Sequence, residues 1–116
     1  MQDYKSLKVW QNAHALALEV YSLTSKFPKE ELYGLVNQIR RAAVSIAANI
    51  AEGSSRTSNK DFARFLQISF GSAKEVEYEI LLSKDLNFIE IESFEKIQHQ
   101  IEEIKKMLVG LMKAIR

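Results

Sequence analysis

The chain has 116 residues, 47% of them hydrophobic, with sixteen basic and fifteen acidic side chains and a formal charge of +1, a size and composition that suit one domain around one core. That charge balance excludes the overall basic excess of a chain that binds nucleic acid through counterion release everywhere on its surface, so any RNA surface must be local. Cysteine is absent, which removes disulfides, thiolate metal sites and cysteine nucleophiles together.

The first helix is expected over about residues 7–27. Val9, Ala13, Leu16, Val20, Leu23 and Phe27 recur every three or four residues, and Trp10, Ala17 and Tyr21 widen the apolar face. Ser6 is placed to cap it, and Pro28 stops it because proline lacks an N–H and disfavours helical geometry in the residue before it. Lys29 to Gly34 form the turn. The second helix, about 34–52, carries the stripe Leu35, Ile39, Ala42, Ile46 and Ile50, joined by Val36, Ala43, Ala47, Ala48 and Ala51. Its second half is apolar nearly all round, which calls for cover on more than one side and points to a homo-oligomer. Gly53 reads as the residue after the helix, where a left-handed backbone favours glycine.

Ser58 with Asp61 three residues on approximates a capping box and opens a third helix over about 59–86. Phe62, Phe65, Leu66, Ser69, Ala73, Val76, Ile80 and Leu81 are its expected inward positions. After the short connection Asn87-Phe88-Ile89, a fourth helix over about 92–115 carries Phe94, Ile97, Ile101, Ile104, Leu108, Leu111 and Ile115 in one stripe, with Ser93 as its cap. Four helices joined by short connections give an all-α fold, a single domain over residues 1–116 with an up-down-up-down antiparallel four-helix bundle.

No residue pattern announces catalysis. His14 and His99 lack metal-ligand spacing, no Gly-rich phosphate loop or nucleophile elbow is present, and the expectation is no enzyme activity, no cofactor, no metal and no small-molecule substrate. Glu75 and Glu79 share a helical face while Glu77 turns away, which reads as a solvated or salt-bridged surface. Counting along the hairpin of the second and third helices sets Arg40 near the level of Gly71 to Glu75, so an Arg40 to Glu75 bridge is feasible. Arg56, Lys60 and Arg64 gather around the start of the third helix, whose free N–H groups also favour anions, and form the chief candidate for nucleic-acid binding, with Arg41 as a further member. The N-terminus lacks the basic start and apolar core of a signal peptide, and no stretch approaches the ~18 apolar residues of a membrane span, so a cytoplasmic protein without a membrane role is expected.

The run Gln38-Ile39-Arg40-Arg41-Ala42-Ala43-Val44-Ser45-Ile46-Ala47-Ala48-Asn49-Ile50-Ala51-Glu52-Gly53 resembles the signature of the bacterial 23S rRNA-intervening-sequence protein family of four-helix bundles. Leu7-Lys8-Val9-Trp10, Phe27-Pro28, Tyr33-Gly34-Leu35, and Phe62, Phe65, Leu66, Gly71, Ser72 and Glu75 match in order, so the resemblance spans nearly the whole chain. The family is similar to the accessory variability determinant of diversity-generating retroelements, and that likeness implies a barrel-like homopentamer and an association with RNA. Ser45, Asn49, Glu52 and Gly53 carry the signature, with Arg40 and Glu75 beside them, as structural residues. Asn49 and Glu52 are expected to order the Gly53 to Ser58 loop. The leading expectation is a non-enzymatic oligomeric bundle that binds RNA or a nucleoprotein through Arg56, Lys60, Arg64 and Arg41. A protein-interaction scaffold without a nucleic-acid role is the alternative.

Overall fold

The structure, a computed structural model, describes residues 3–116. It comprises four α-helices, α1 Lys8–Thr24, α2 Asn37–Ser54, α3 Asn59–Asp85 and α4 Ile91–Ala114, and no strand occurs among the described residues. The three-and-four spacing of apolar residues puts Leu16 and Val20 of α1, Ile39 and Ile46 of α2, Leu66 and Ile80 of α3, and Ile101 and Leu108 of α4 into one core. Each such side chain removed from water contributes roughly 1.5–3 kcal/mol.

α2 and α3 share the broadest contact, and α1 packs on both α2 and α4 while α3 packs on α4. Individual pairs fix the register. Ser45 Oγ lies 2.9 Å from Ser72 Oγ, and Ser69 Oγ donates to the Ile46 carbonyl over 2.8 Å. Arg40 Nε donates to Thr24 Oγ1 over 2.9 Å, Lys96 pairs with Glu19 at 3.3 Å, and Lys105 pairs with Glu77 at 2.9 Å. The body measures 43 × 24 × 20 Å.

Several helix ends differ from the sequence reading. α1 stops at Thr24, whose hydroxyl turns back to the Val20 carbonyl at 2.7 Å, and Phe27 is buried outside the helix, 5.4 Å from the ring of Phe88. Ser6 does not cap α1. Asp3 instead caps a 3-10 turn, Tyr4–Ser6, and extended Leu7 precedes α1 without a side-chain cap. A 3-10 turn Lys29–Glu31 and a π-turn Leu32–Val36 precede α2, so the regular helix begins at Asn37, and Gly34 within the π-turn has φ −113° and ψ −108°. Ser58 caps α3 as expected, accepting from the Asp61 N–H at 3.1 Å. At the other end of α3, Asn87 takes the left-handed conformation with φ 64°. The Phe88 N–H returns to Ser83 O and the Asn87 N–H to Lys84 O, both at 2.9 Å, which closes the helix as a Schellman motif. Ser93 lies inside α4, and Glu90 occupies the cap position without a side-chain bond. Leu81, expected inside, is exposed, while Ile80 before it and Ser83 after it are buried, so it lies outside the inward sector of α3.

Gly53 is the correction with the clearest physical cause. It lies inside α2, which continues to Ser54, and no described glycine has a positive φ. A Cβ there would stand 2.7 Å from Phe65 Cβ and 2.9 Å from Phe62 Cδ1. Glycine is required by the close approach of α3, not by a left-handed turn.

Candidate nucleic-acid interface

The turn from α2 to α3 brings Arg56 beside the first turns of α3, where Lys60 and Arg64 project one turn apart. Arg56 Nη2 lies 3.4 Å from Glu52 Oε2, and Arg64 Nε donates to Asp61 Oδ1 over 3.0 Å. Both guanidinium groups also lie over the Phe65 ring, at 4.8 Å and 4.6 Å from its centroid. A single aromatic ring thus holds two guanidinium cations at the rim, with side chains 39% and 61% exposed. Lys60 makes no ion pair among the described residues, and with Ser58, Ala63, Arg64 and Gln67 it lines an open concavity of about 680 Å³.

Arg41 is not part of this cluster. It is exposed on α2 fifteen residues before Arg56, roughly 22 Å away along the helix axis. Arg40 does not bridge to Glu75 either. It turns toward α1, donating to Thr24 and lying 4.6 Å over the ring of Tyr21, because its position on α2 faces α1 while Glu75 lies on the outer side of α3.

The helix register adds residues that a segment-by-segment reading leaves apart. Asn12 reaches Met107, Tyr4 and Trp10 share a groove with Ala47, Ala48 and Ala51, and Gln67 and Phe70 share one with Met112, Lys113 and Arg116, which groups residues 3–14, 47–70 and 106–116 at one end of the body. That end holds Lys5 and Lys8, Arg56, Lys60 and Arg64, and Lys106, Lys113 and Arg116, eight basic side chains against the three acidic ones of Asp3, Glu52 and Asp61. The opposite end, residues 19–37 and 79–99, holds four basic side chains against eight acidic ones. Between them, basic and acidic side chains are equal in number at four each. A formal charge of +1 therefore conceals a body with +5 at one end and −4 at the other.

The middle is held by internal pairing. Lys105 lies 2.8 Å from Glu102 and 2.9 Å from Glu77, and Lys74 lies 3.0 Å from Glu77. Burial alone would push the Glu77 carboxyl up, but its hydrogen bonds to Lys105, Lys74 and Glu102 outweigh that and hold it below the ordinary range. The Lys105 ammonium is raised by its bond to Glu102 against the opposing effect of burial, with further support from Glu77. Ser45, Ser72 and Asn49 make a polar seam between α2 and α3, in which Asn49 Nδ2 donates to the Ser45 carbonyl and hydroxyl, both at 2.9 Å. Asn49 therefore braces α2 and does not reach the loop. Glu52 does reach it, through Arg56.

Glu79 departs from the expected solvated face. It is 4% exposed, and its Oε1 has no hydrogen-bond partner, so burial, aided by the neighbouring Glu75 carboxylate, pushes its pKa up to about 7. Its neighbours on the same face, Ser72, Val76 and Ser83, are also buried, and their three-and-four spacing was the available signal.

A family model described as 23S rRNA-intervening sequence protein matches residues 5–110. A crystal structure of a protein of unknown function from the S23 ribosomal protein family, from Bacteroides thetaiotaomicron, is similar with a TM-score of 0.84 at 30% sequence identity. The match covers 90% of this chain and 95% of that one. No curated protein matches the chain.

Proposed function

This chain belongs to the 23S rRNA-intervening sequence protein family, and on that premise we propose that it is a non-catalytic cytoplasmic bundle that engages RNA, or a nucleoprotein, through its basic end. The observation that carries the reading is the segregation of charge, with eight basic side chains against three acidic ones around Arg56, Lys60 and Arg64. Arg56 and Arg64, held over Phe65 with side chains 39% and 61% exposed, offer the N–H groups not taken up by Glu52 and Asp61 to phosphate oxygens. Such contacts release counterions, so affinity for a fluorescent RNA hairpin should fall steeply as salt rises. Replacing Arg56, Lys60 and Arg64 by Glu should lessen the slope of log K against log salt by about three, one for each lost phosphate contact. No binding at low salt would refute the proposal.

The same reading takes the helices as an antiparallel up-down-up-down bundle, which is supported by the short connections and by the pairs Ser45 with Ser72, Lys96 with Glu19 and Arg40 with Thr24. It also has the bundle self-associate. A groove of about 400 Å³ runs between α1 and α2, lined by Trp10, Leu18, Tyr21, Val44, Ala48 and Ala51, with Trp10 stacked on His14 at 5.0 Å. Leu18, Tyr21 and Val44 are exposed there. This face suits a second copy, and the likeness to the accessory variability determinant of diversity-generating retroelements favours a ring of five. Basic ends would then gather on one side of the ring and multiply the affinity of each. Light scattering should give a multimer that Leu18→Glu with Val44→Glu reduces to a monomer, and a monomeric wild-type chain would exclude the ring.

A further inference from the structure

The acidic end carries something that charge alone does not require. Leu32 and Tyr33 of the π-turn are 45% and 90% exposed, and Leu86 and Ile91 beside the α3 to α4 connection are 46% and 51% exposed. The two connections touch, since Phe27 packs on Phe88. Leu32 and Tyr33 follow Phe27 closely in the chain and Leu86 and Ile91 flank Phe88, so all four lie at the end that this contact closes. Four large apolar side chains therefore share one end of the body, a grouping that a surface serving only solubility does not call for.

Carboxylates surround them. Glu30, Glu90, Glu92 and Glu95 make no ion pair among the described residues, whereas Lys84 and Lys96 are taken up by Asp85 and Glu19. Lys84 is further held over the Phe94 ring at 4.7 Å, leaving Lys26 and Lys29 as the end's cations outside ion pairs. Glu92 also complements the N-terminus of α4, which accounts for its place but not for that of Glu30 or for the apolar group. Leu32 and Tyr33 are turned out by the π-turn, a local irregularity that recurs at functional positions.

We infer that the end formed by Leu32, Tyr33, Leu86 and Ile91 is a docking surface for a basic protein segment with an apolar face, such as a Lys/Arg-rich amphipathic helix. Apolar side chains supply the buried centre and the carboxylates a complementary rim, the usual division of a protein interface. An RNA is repelled by this end and a basic segment by the other, so the chain presents two surfaces of opposite preference about 43 Å apart along its long axis. The inference stands apart from RNA binding and from assembly through the α1 to α2 groove.

The test is an NMR titration of the full-length chain with a synthetic helical peptide of Lys and Leu arranged on opposite faces. Two comparison peptides are used, one with Glu replacing Lys and one with Ser replacing Leu. Binding of the Lys/Leu peptide should move resonances of residues 29–34 and 84–95 and leave 54–64 in place, with both comparison peptides at least tenfold weaker. Tyr33→Ser with Ile91→Ser should weaken binding at least fivefold, within the range of truncated interface anchors. Glu30→Lys with Glu92→Lys should weaken it further, and circular dichroism should show both variants folded. RNA affinity should be unchanged in the first variant, so failure here is distinguishable from failure of the RNA reading. The inference is overturned if the Lys/Ser peptide binds equally well, if the shifts lie in the α1 to α2 groove, or if no peptide binds. It is also overturned if the chain alone shows concentration-dependent shifts at this end that Arg56→Glu with Arg64→Glu removes, since a second copy's basic end would then be the occupant.

Discussion

Replacing Glu79 by glutamine separates the charge of this side chain from its shape. Glu79 is buried with an unpartnered Oε1, and its pKa stands at about 7 against an ordinary 4.5. The folded chain therefore holds this proton more tightly than the unfolded chain. The stabilisation is complete below the unfolded value, declines as pH rises from there, and is gone above the folded value. At 1.36 kcal/mol per unit, the difference is about 3 kcal/mol between pH 4.5 and pH 8. Glutamine is neutral throughout and keeps the volume, so Glu79→Gln should remove this decline. Relative to wild type, the variant should gain up to about 3 kcal/mol on passing from pH 5 to pH 8, on the order of 10 °C in Tm for a domain of this size. Any penalty from the unpartnered amide is present at both pH values and cancels from the comparison. Urea denaturation followed by circular dichroism at the two pH values gives the quantity directly. If wild type and variant respond identically to pH, Glu79 is not a buried neutral acid and the reasoning fails.

Gly53→Ala should destabilise the fold by about 1–3 kcal/mol, because overlap with Phe62 and Phe65 outweighs a gain in helix propensity of about 1 kcal/mol. Thermal denaturation checks this, and a more stable variant would show that Phe62 and Phe65 yield to the added methyl, which refutes the close-approach reading. Glu75→Gln should change stability by less than about 0.5 kcal/mol, as for other exposed substitutions. Arg40→Ala should cost about 1–2 kcal/mol through loss of its bond to Thr24 and its contact with Tyr21. Equal losses at both positions in chemical denaturation would restore the Arg40 to Glu75 bridge.

The helices were legible in the sequence because apolar residues at three-and-four spacing have one economical burial. What escaped depends on direction around a helix and on distance between segments. Counting residues along a hairpin gives the level of Arg40 but not the side of α2 it faces, and that side belongs to α1. A glycine near a helix end looks the same whether it serves a left-handed cap or a close crossing. Only the opposing Phe62 and Phe65 decide for Gly53. The basic end was half legible: Arg56, Lys60 and Arg64 are neighbours in sequence, whereas Lys5, Lys8, Lys113 and Arg116 join them only through the helix register. Arg41, chosen for its residue type, is removed from the cluster by its distance along α2.

The most direct measurement for the basic end is residue-level mapping of bound RNA, with backbone amide shifts of the full chain followed as a structured RNA hairpin is added at low salt. The charge distribution predicts shifts at residues 5–10, 54–67 and 106–116, diminishing together as salt is raised. Shifts centred on residues 29–34 and 84–95, or none at any RNA concentration, would contradict it.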